Sequence, residues 1–340
     1  MRLRTLLGID VPIVQGPFGG NLSTVALAAA VSSAGGLGSF GAHLLAPERI
    51  PSLVADLRAA TARPFAVNLW VPQADEDARP TETDVARVRP YLRELGLADP
   101  DTSGAPLPDF AAQLDALLAA APPVISFVMG LPPAAAVAEA RERGIVTIGT
   151  ATTPAEAVAV QAAGLDAVVA SGSDAGGHRG AFLRPVAESL VGTFSLVPQV
   201  VDAVDIPVIA AGGIADARGV AAARALGADG VQVGTGFLAT AESGASPAHK
   251  AALHGPGAAV TVLTRAFTGR TARAQLNRLV ADLADAPVPP YPAQSALLSD
   301  LRGAASAADR ADLLNLWSGQ AAALTAPRTA REYLALLNST

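Results

Sequence analysis

Residues 162–169 read AAGLDAVV, and residues 225–232 read ALGADGVQ. In both segments an alanine-rich stretch ends at a glycine and continues into a short apolar run. Such a glycine is a common helix stop, and the apolar run is typical of a buried parallel strand. Thr153-Pro154 before the first helical stretch and Asp216 before the second are matching helix start signals. The two units therefore predict a repeating strand–helix fold.

The same alternation recurs on both sides of these units. Short apolar runs bounded by glycine or proline predict strands at 12–16, 37–41, 65–71, 124–130, 145–150, 167–171, 207–212 and 230–234. Eight parallel strands with intervening helices predict an α/β protein with a (β/α)8 TIM barrel. A doubly wound open sheet is the alternative, and the number of units favours the barrel.

Two regions do not follow the repeat and predict a smaller, mostly helical lid domain. We expect residues 1–244 to form the barrel, with an insertion at about 72–123 that is rich in proline and charge. We expect residues 245–340 to form a mostly helical C-terminal region. Both regions are predicted to pack on the barrel mouth, where the carboxyl ends of the strands meet.

Composition excludes several classes of protein. The 340 residues are 51% hydrophobic and 16% charged, which argues against disorder. The 24 Lys and Arg against 30 Asp and Glu give a net charge of −6, with no basic run for a nucleic acid. The absence of cysteine excludes disulfides and Cys-ligated metal sites, and we predict no metal site of another kind. The apolar stretch between Arg4 and Asp10 is too short for a signal peptide, so we do not expect one. The uncharged stretch 11–47 is broken by glycines and prolines, so we do not expect a membrane span. We expect a cytoplasmic protein. The oligomeric state stays open.

The segment SGSDAGGHRG at 171–180 directly follows the sixth predicted strand. Catalytic groups of barrels lie at such strand ends, and glycines let the backbone approach a ligand closely. Histidine is the side chain best suited to act as a general base near neutral pH, so His178 is the candidate catalytic residue. For His43, after the second strand, a structural and a functional role stay open. His249 and His254 are predicted to lie on the surface.

Glycines also follow the last two predicted strands, in AAGGI at 210–214 and QVGT at 232–235. Barrels commonly build a phosphate site from these two loops, where backbone N–H groups and helix starts face the ligand. Gly212, Gly213, Gly234 and Thr235 therefore predict a phosphate-bearing ligand such as a mononucleotide cofactor.

Two further observations concern polar groups and glycines near the strands. Gly36-Leu37-Gly38-Ser39-Phe40-Gly41 has the spacing G-x-G-x-x-G, but a helix precedes it and a strand follows. The dinucleotide fingerprint needs the reverse order, so we reject a Rossmann site. Gln15 and Asn68 are amides in predicted buried strands, and each is predicted to bind either a planar heterocycle or neighbouring backbone.

The chain resembles the nitronate monooxygenases, formerly called 2-nitropropane dioxygenases. The resemblance rests on PIVQGP at 12–17, NLWVP at 68–72, SDAGGHRG at 173–180, AAGGI at 210–214, QVGT at 232–235, TRAFTGRTAR at 264–273 and LWSGQ at 316–320. It implies a TIM barrel with a helical lid and tightly held, non-covalent FMN. It implies oxidation of alkyl nitronates, and in some members of neutral nitroalkanes, with O2.

The resemblance also implies roles for single residues. It makes His178 the catalytic histidine. The flavin contacts that it implies are Asn68, Gly176, Gly213, Gln232, Val233, Gly234 and Thr235. We add Gln15, Ser171 and Gly212 as further candidate cofactor-binding residues. Many relatives carry Gln where this chain has Ser171.

Two other functions stay open at this point. One is an FMN-dependent enoyl-acyl carrier protein reductase that uses NAD(P)H and has the same AGGH loop. The other is a flavin-binding storage or sensor protein without turnover, against which the loop histidine argues. Arg265, Arg270 and Arg273 bear on this choice, because they could bind a dinucleotide or anchor the C-terminal region, and we favour anchoring.

Overall fold

Eight parallel strands form one sheet that closes into a barrel, as predicted. The computed structural model describes residues 2–74, 76–102 and 107–339. The strands of the barrel are β1 (Ile13–Gln15), β2 (Gly38–Gly41), β3 (Phe65–Trp70), β4 (Val124–Val128), β5 (Val146–Ala151), β6 (Ala167–Ser171), β8 (Val208–Ala211) and β9 (Gly230–Val233). They are ordered β1-β9-β8-β6-β5-β4-β3-β2, and a parallel bridge between Val14 and Leu37 joins the two ends of the sheet. The strands β7 (Gly177–His178), β10 (Thr261–Thr264) and β11 (Ala272–Gln275) form a separate antiparallel sheet.

Helices surround the barrel and build a second lobe. They are α1 (Arg2–Leu7), α2 (Val25–Ser33), α3 (Ile50–Ala60), α4 (Glu82–Glu94), α5 (Phe110–Ala120), α6 (Ala134–Glu142), α7 (Pro154–Ala162), α8 (Thr193–Ala203), α9 (Ala217–Ala225), α10 (Thr235–Leu238), α11 (Pro247–His254), α12 (Arg278–Asp282), α13 (Ala293–Leu297), α14 (Ser299–Ala307) and α15 (Ala330–Leu337). The predicted start signals are present, because Thr153 caps α7 ahead of Pro154 and Asp216 caps α9. Within the described ranges, none of these helices is long and apolar enough to cross a membrane.

The apolar core has separate layers. Alternate strand residues, including Val14, Val169 and Ile209, fill the barrel interior together with Leu3 and Leu7 of α1, which closes one end. A larger cluster joins the outer faces of the strands to the surrounding helices. A third cluster forms the second lobe around residues of α4, α12 and α14.

The predicted insertion at about 72–123 divides between these cores. Helix α4 packs into the second lobe, whereas α5 packs on α3, α6 and β3 as the barrel helix between β3 and β4. The chain after residue 244 divides in the same way, because α15 packs on α2 and α9 in the barrel core. Residue 75 and residues 103–106 of the predicted insertion lie outside the described residues.

Candidate active site

A cavity of about 680 Å³ opens at the carboxyl ends of the strands and is roofed by the second lobe. This volume is in the range of small-molecule and cofactor sites. The barrel contributes strand-end residues such as Ser171, Ala211 and Gln232, and the lobe contributes Thr268 and Trp317. The site therefore depends on both parts of the structure.

Most of the predicted site residues line this cavity. They are Asn68, Ser171, Gly176, His178, Gly212, Gly213, Gln232, Gly234 and Thr235. Gln15 and Val233 do not line it. The fully buried Gln15 accepts a hydrogen bond from the Ser39 N–H at 2.9 Å and donates one to the Gly16 carbonyl, so its amide joins β1 to β2.

The end of the cavity beside β8 and β9 presents backbone donors. Gly212 and Gly213 have φ of +115° and +68°, a region that favours glycine. The N–H groups of Gly176, Gly213 and Ile214 make no hydrogen bond to any described residue. The Thr235 hydroxyl accepts from the Gly319 N–H at 2.9 Å, which leaves its proton to donate. Such free donors at the end of parallel strands suit an oxyanion.

Two buried arginines lie beneath the loop that carries His178. Arg179 donates to the carbonyls of Ser171 at 2.8 Å and Gly172 at 2.7 Å, and Arg273 donates to the carbonyl of Ser173 at 2.8 Å. Burial lowers the pKa of Arg179 to about 10, so the side chain stays cationic at neutral pH. The two cations hold three consecutive carbonyls of the loop and fix its path.

Two amides face the cavity from the barrel. Asn68 donates through Nδ2 to the carbonyl of Ser126 at 3.1 Å and to its hydroxyl at 3.0 Å, which leaves Oδ1 as an acceptor. The side chain of Gln232 makes no hydrogen bond to any residue that the structure describes. These groups could bind the polar edge of a planar ligand.

His178 lies between the two tryptophans of the chain. Its ring centroid is 4.8 Å from that of Trp70 and 5.0 Å from that of Trp317, and its Nε2 is 2.9 Å from Thr268 Oγ1. Burial, and after it the nearby His43, Arg270 and Arg302, lower the pKa of His178 to about 3. The imidazole is therefore neutral at pH 7 and can accept a proton.

His43 stacks on the ring of Trp70, with ring centroids 3.8 Å apart and planes 3° apart. Burial and the charge of Arg270 lower the pKa of His43 to about 3, and its Nδ1 has no hydrogen-bond partner among the described residues. His43 lines the cavity, as one of the two interpretations of the sequence allowed.

The prediction for His249 was wrong. His249 is only 4% exposed, lines the cavity and lies 3.1 Å through Nε2 from the Trp317 carbonyl. Burial lowers its pKa to about 4. His249 lies in a polar stretch of sequence flanked by glycine and proline, which suggested a surface position. In the structure, the segment around Trp317 covers His249. His254 is half-buried and pairs through Nδ1 with Thr325 at 3.3 Å.

Several cavity residues were not named from the sequence. They are Trp70, Met129, Thr268, Tyr291, Ser295, Arg302 and Trp317. A signal was available for three of them, since Trp70, Thr268 and Trp317 lie inside motifs that carry the family resemblance. Arg302 had no such signal. It donates to the Ser295 carbonyl at 3.1 Å and has no carboxylate within 4 Å among the described residues.

Arg265, Arg270 and Arg273 act as anchors. Arg265 donates to the Gly269 carbonyl at 2.8 Å, and Arg270 pairs with Glu76 at 3.0 Å and lies over the Tyr291 ring. The Arg270–Glu76 pair joins the segment before α4 to the lobe.

Comparison with known proteins identifies the family of this chain. The family model described as nitronate monooxygenase matches residues 1–339. The chain belongs to this family.

Relatives in and near the nitronate monooxygenase family cover almost the whole chain. A probable nitronate monooxygenase of Staphylococcus aureus is 41% identical over 323 residues, which is 94% of this chain and 91% of that protein. The structure of nitroalkane oxidase from Streptomyces ansochromogenes is 40% identical with a TM-score of 0.92, and covers 100% of this chain and 97% of its own. FabK from Thermotoga maritima is 31% identical with a TM-score of 0.77, over 99% and 94% of the two chains. The barrel and the oxidoreductase class are confirmed by these matches.

Proposed function

We propose that this protein uses bound FMN and O2 to oxidise small alkyl nitronates, and neutral nitroalkanes with His178 as general base. The observation that carries the proposal is the position of His178, which lies between Trp70 and Trp317 in a glycine-lined cavity. Membership of the nitronate monooxygenase family and the likeness to a nitroalkane oxidase support it.

The residues present fit FMN. Gly176, Gly213 and Ile214 offer unpaired N–H groups for a phosphate, and Thr235 offers its hydroxyl proton. The Oδ1 of Asn68 and the free amide of Gln232 would bind the polar edge of the flavin ring. When bound, FMN would supply the acceptor for the two electrons that leave the substrate.

The residues around His178 suit proton removal. A neutral nitroalkane must lose its α-proton, and His178 would take it, a contribution of about 10²- to 10⁴-fold to the rate in typical enzymes. Trp70 and Trp317 contact the ring and partly cover it, and burial favours its neutral form. A nitronate has already lost this proton, so it needs His178 less.

The arginine contacts support oxidation of nitronates over the reductase alternative. A nicotinamide dinucleotide needs partners for its two phosphates. Arg265, Arg270 and Arg273 are each engaged by backbone carbonyls, a hydroxyl or Glu76.

Anaerobic reduction of the flavin in the FMN-loaded protein tests the proposal. We expect a small alkyl nitronate to bleach the flavin rapidly, and NADH or NADPH to bleach it slowly or not at all. Rapid, saturable bleaching by a pyridine nucleotide with inert nitronates would support the reductase. Bound FMN without turnover by any of these compounds would support the storage or sensor protein.

The variant His178→Asn separates the two substrate forms. Turnover of the neutral nitroalkane should fall by about 10²- to 10⁴-fold, whereas turnover of the preformed nitronate should fall much less. Equal losses would instead assign His178 to substrate binding.

A further inference from the structure

The hairpin of β10 and β11 fixes both the backbone and the ring of His178. His178 pairs with Ala272 in the register of β7 and β11, and the Arg179 N–H donates to the Thr271 carbonyl at 3.0 Å. The turn of the same hairpin presents Thr268, whose Oγ1 is 2.9 Å from His178 Nε2. A residue 90 positions away in sequence therefore faces the candidate base.

The turn holds Thr268 in one position. Gly269 has a φ of +81°, and a Cβ at this position would collide with the Pro289 carbonyl oxygen. The Gly269 N–H donates to the Arg265 carbonyl at 2.8 Å, and Gln294 donates to the Ala266 carbonyl at 2.6 Å. The hydroxyl of Thr268 is thus presented by a backbone that is bonded on both sides.

The contacts of this hydroxyl determine where its proton goes. Thr268 Oγ1 is 3.2 Å from the Arg270 carbonyl oxygen and 3.4 Å from the Arg270 N–H nitrogen. A hydroxyl has one proton and two lone pairs. The carbonyl can only accept, so it takes the proton, and the N–H can only donate, so it uses one lone pair. The remaining lone pair is then available to accept a hydrogen bond from Nε2–H of His178.

We propose that Thr268 is a positioning residue that keeps the proton of neutral His178 on Nε2, so that Nδ1 is the basic atom. The opposite assignment, in which the hydroxyl donates to Nε2, would leave the Arg270 carbonyl oxygen facing Thr268 Oγ1 with no proton between them. Nδ1 makes no hydrogen bond with any described residue and belongs to a ring that lines the cavity. That a nitroalkane gives its proton to Nδ1 rests on the proposed function, whereas the position of the ring proton on Nε2 does not.

The proton transfer balances without another reactant. The α-C–H bond of the nitroalkane breaks, its electron pair stays on the substrate and delocalises onto the nitro oxygens, and an N–H bond forms at Nδ1. His178 is then an imidazolium with Nε2–H still donated to Thr268. The product anion lies beside this cation.

Nitrogen NMR of the oxidised holoprotein, labelled at its histidines, tests the position of the ring proton directly. Couplings to the ring carbon protons distinguish a protonated from an unprotonated nitrogen, and His178→Gln identifies the signals of His178. At pH 7 we expect Nε2 protonated and Nδ1 unprotonated in the wild-type protein. A protonated Nδ1 would overturn the proposal, and this measurement needs no variant of Thr268 to fold.

Two substitutions at Thr268 and one elsewhere extend the test. Thr268→Val should raise the population of the other tautomer and lower nitroalkane-dependent flavin reduction by about 10-fold or more, with a much smaller effect on a preformed nitronate. Thr268→Ser should restore both. Thr325→Val removes the hydroxyl beside His254, a His–Thr pair away from the cavity, and should change neither the tautomer of His178 nor the rate.

The outcomes separate this proposal from the proposed function. An unchanged tautomer and an unchanged ratio of nitroalkane to nitronate rates in Thr268→Val would refute the role of Thr268. Failure of both substrates to reduce the wild-type flavin would refute the proposed function, while the NMR result would still decide the position of the proton.

Discussion

Turnover of a neutral nitroalkane should stay almost constant as the pH falls from about 7 to about 5. Burial, His43 and the cations of Arg270 and Arg302 lower the pKa of His178 from 6.5 to about 3. At pH 5 an imidazole with the ordinary pKa is only about 3% neutral, whereas one with a pKa near 3 is about 99% neutral. The two cases differ about 30-fold in the amount of competent base at pH 5, and kcat/KM for the free enzyme reports that amount.

Initial rates of O2 consumption with a nitroalkane, measured from about pH 5 to pH 8, test this magnitude. The substrate is added in its neutral form, and a preformed nitronate in parallel corrects for effects of pH on later steps. Flavin absorbance and a thermal unfolding scan at each pH check that the holoprotein stays folded. A tenfold fall in nitroalkane kcat/KM per pH unit below about 6.5 would show an ordinary imidazole and refute the electrostatic argument.

Three further predictions follow from contacts in and around the site. Gly213→Leu should yield folded, colourless protein, because a side chain at φ +68° disturbs the N–H groups of the proposed phosphate site. The control Gly144→Leu, at φ +69° in open space, should keep its flavin. The amount of flavin per folded protein measures both, and a fully loaded Gly213→Leu protein would contradict the assignment. Arg302→Met should raise the pKa of His178 because a nearby cation is lost; nitrogen NMR of the His178 ring, followed below pH 5, measures the shift, and an unchanged or lower pKa would contradict this. Glu156→Gln should lower the free energy of unfolding by about 1–3 kcal/mol. Both oxygens of this fully buried carboxylate accept hydrogen bonds from backbone N–H groups, and the amide nitrogen of glutamine cannot accept one. Urea unfolding measures the change, and an unchanged stability would refute the argument.

The barrel was predictable because its signals are local. Glycine and proline mark the ends of each strand, and capping residues such as Thr153 and Asp216 mark where helices begin. The loops after β8 and β9 could be placed at the mouth for the same reason, since strand direction alone brings them together. These inferences needed no knowledge of which distant residues touch.

The second lobe was harder to predict because its contacts join distant parts of the chain. Arg270 meets Glu76, and Thr268 meets His178, through a hairpin whose position no local pattern specifies. Gln15 shows the same difficulty, because a buried amide must be hydrogen-bonded but the sequence does not say that the partner is the N–H of Ser39. His249 was misplaced because its cover comes from residues about 70 positions later.

The position of α15 has a consequence for how the molecule is made. Helix α15 packs against α9 and α2 and completes the ring of helices around the barrel. Its Tyr333 hydroxyl donates to the Ala215 carbonyl at 2.8 Å. On the ribosome, the residues of the second lobe emerge before α15 does, so the ring of helices stays incomplete until α15 itself has been synthesised. We therefore expect a nascent chain that ends after the lobe to expose apolar surface on α2 and α9 and to need protection from aggregation. Most of the second lobe is thus formed by a segment of chain that leaves the barrel after β9 and returns to it at α15.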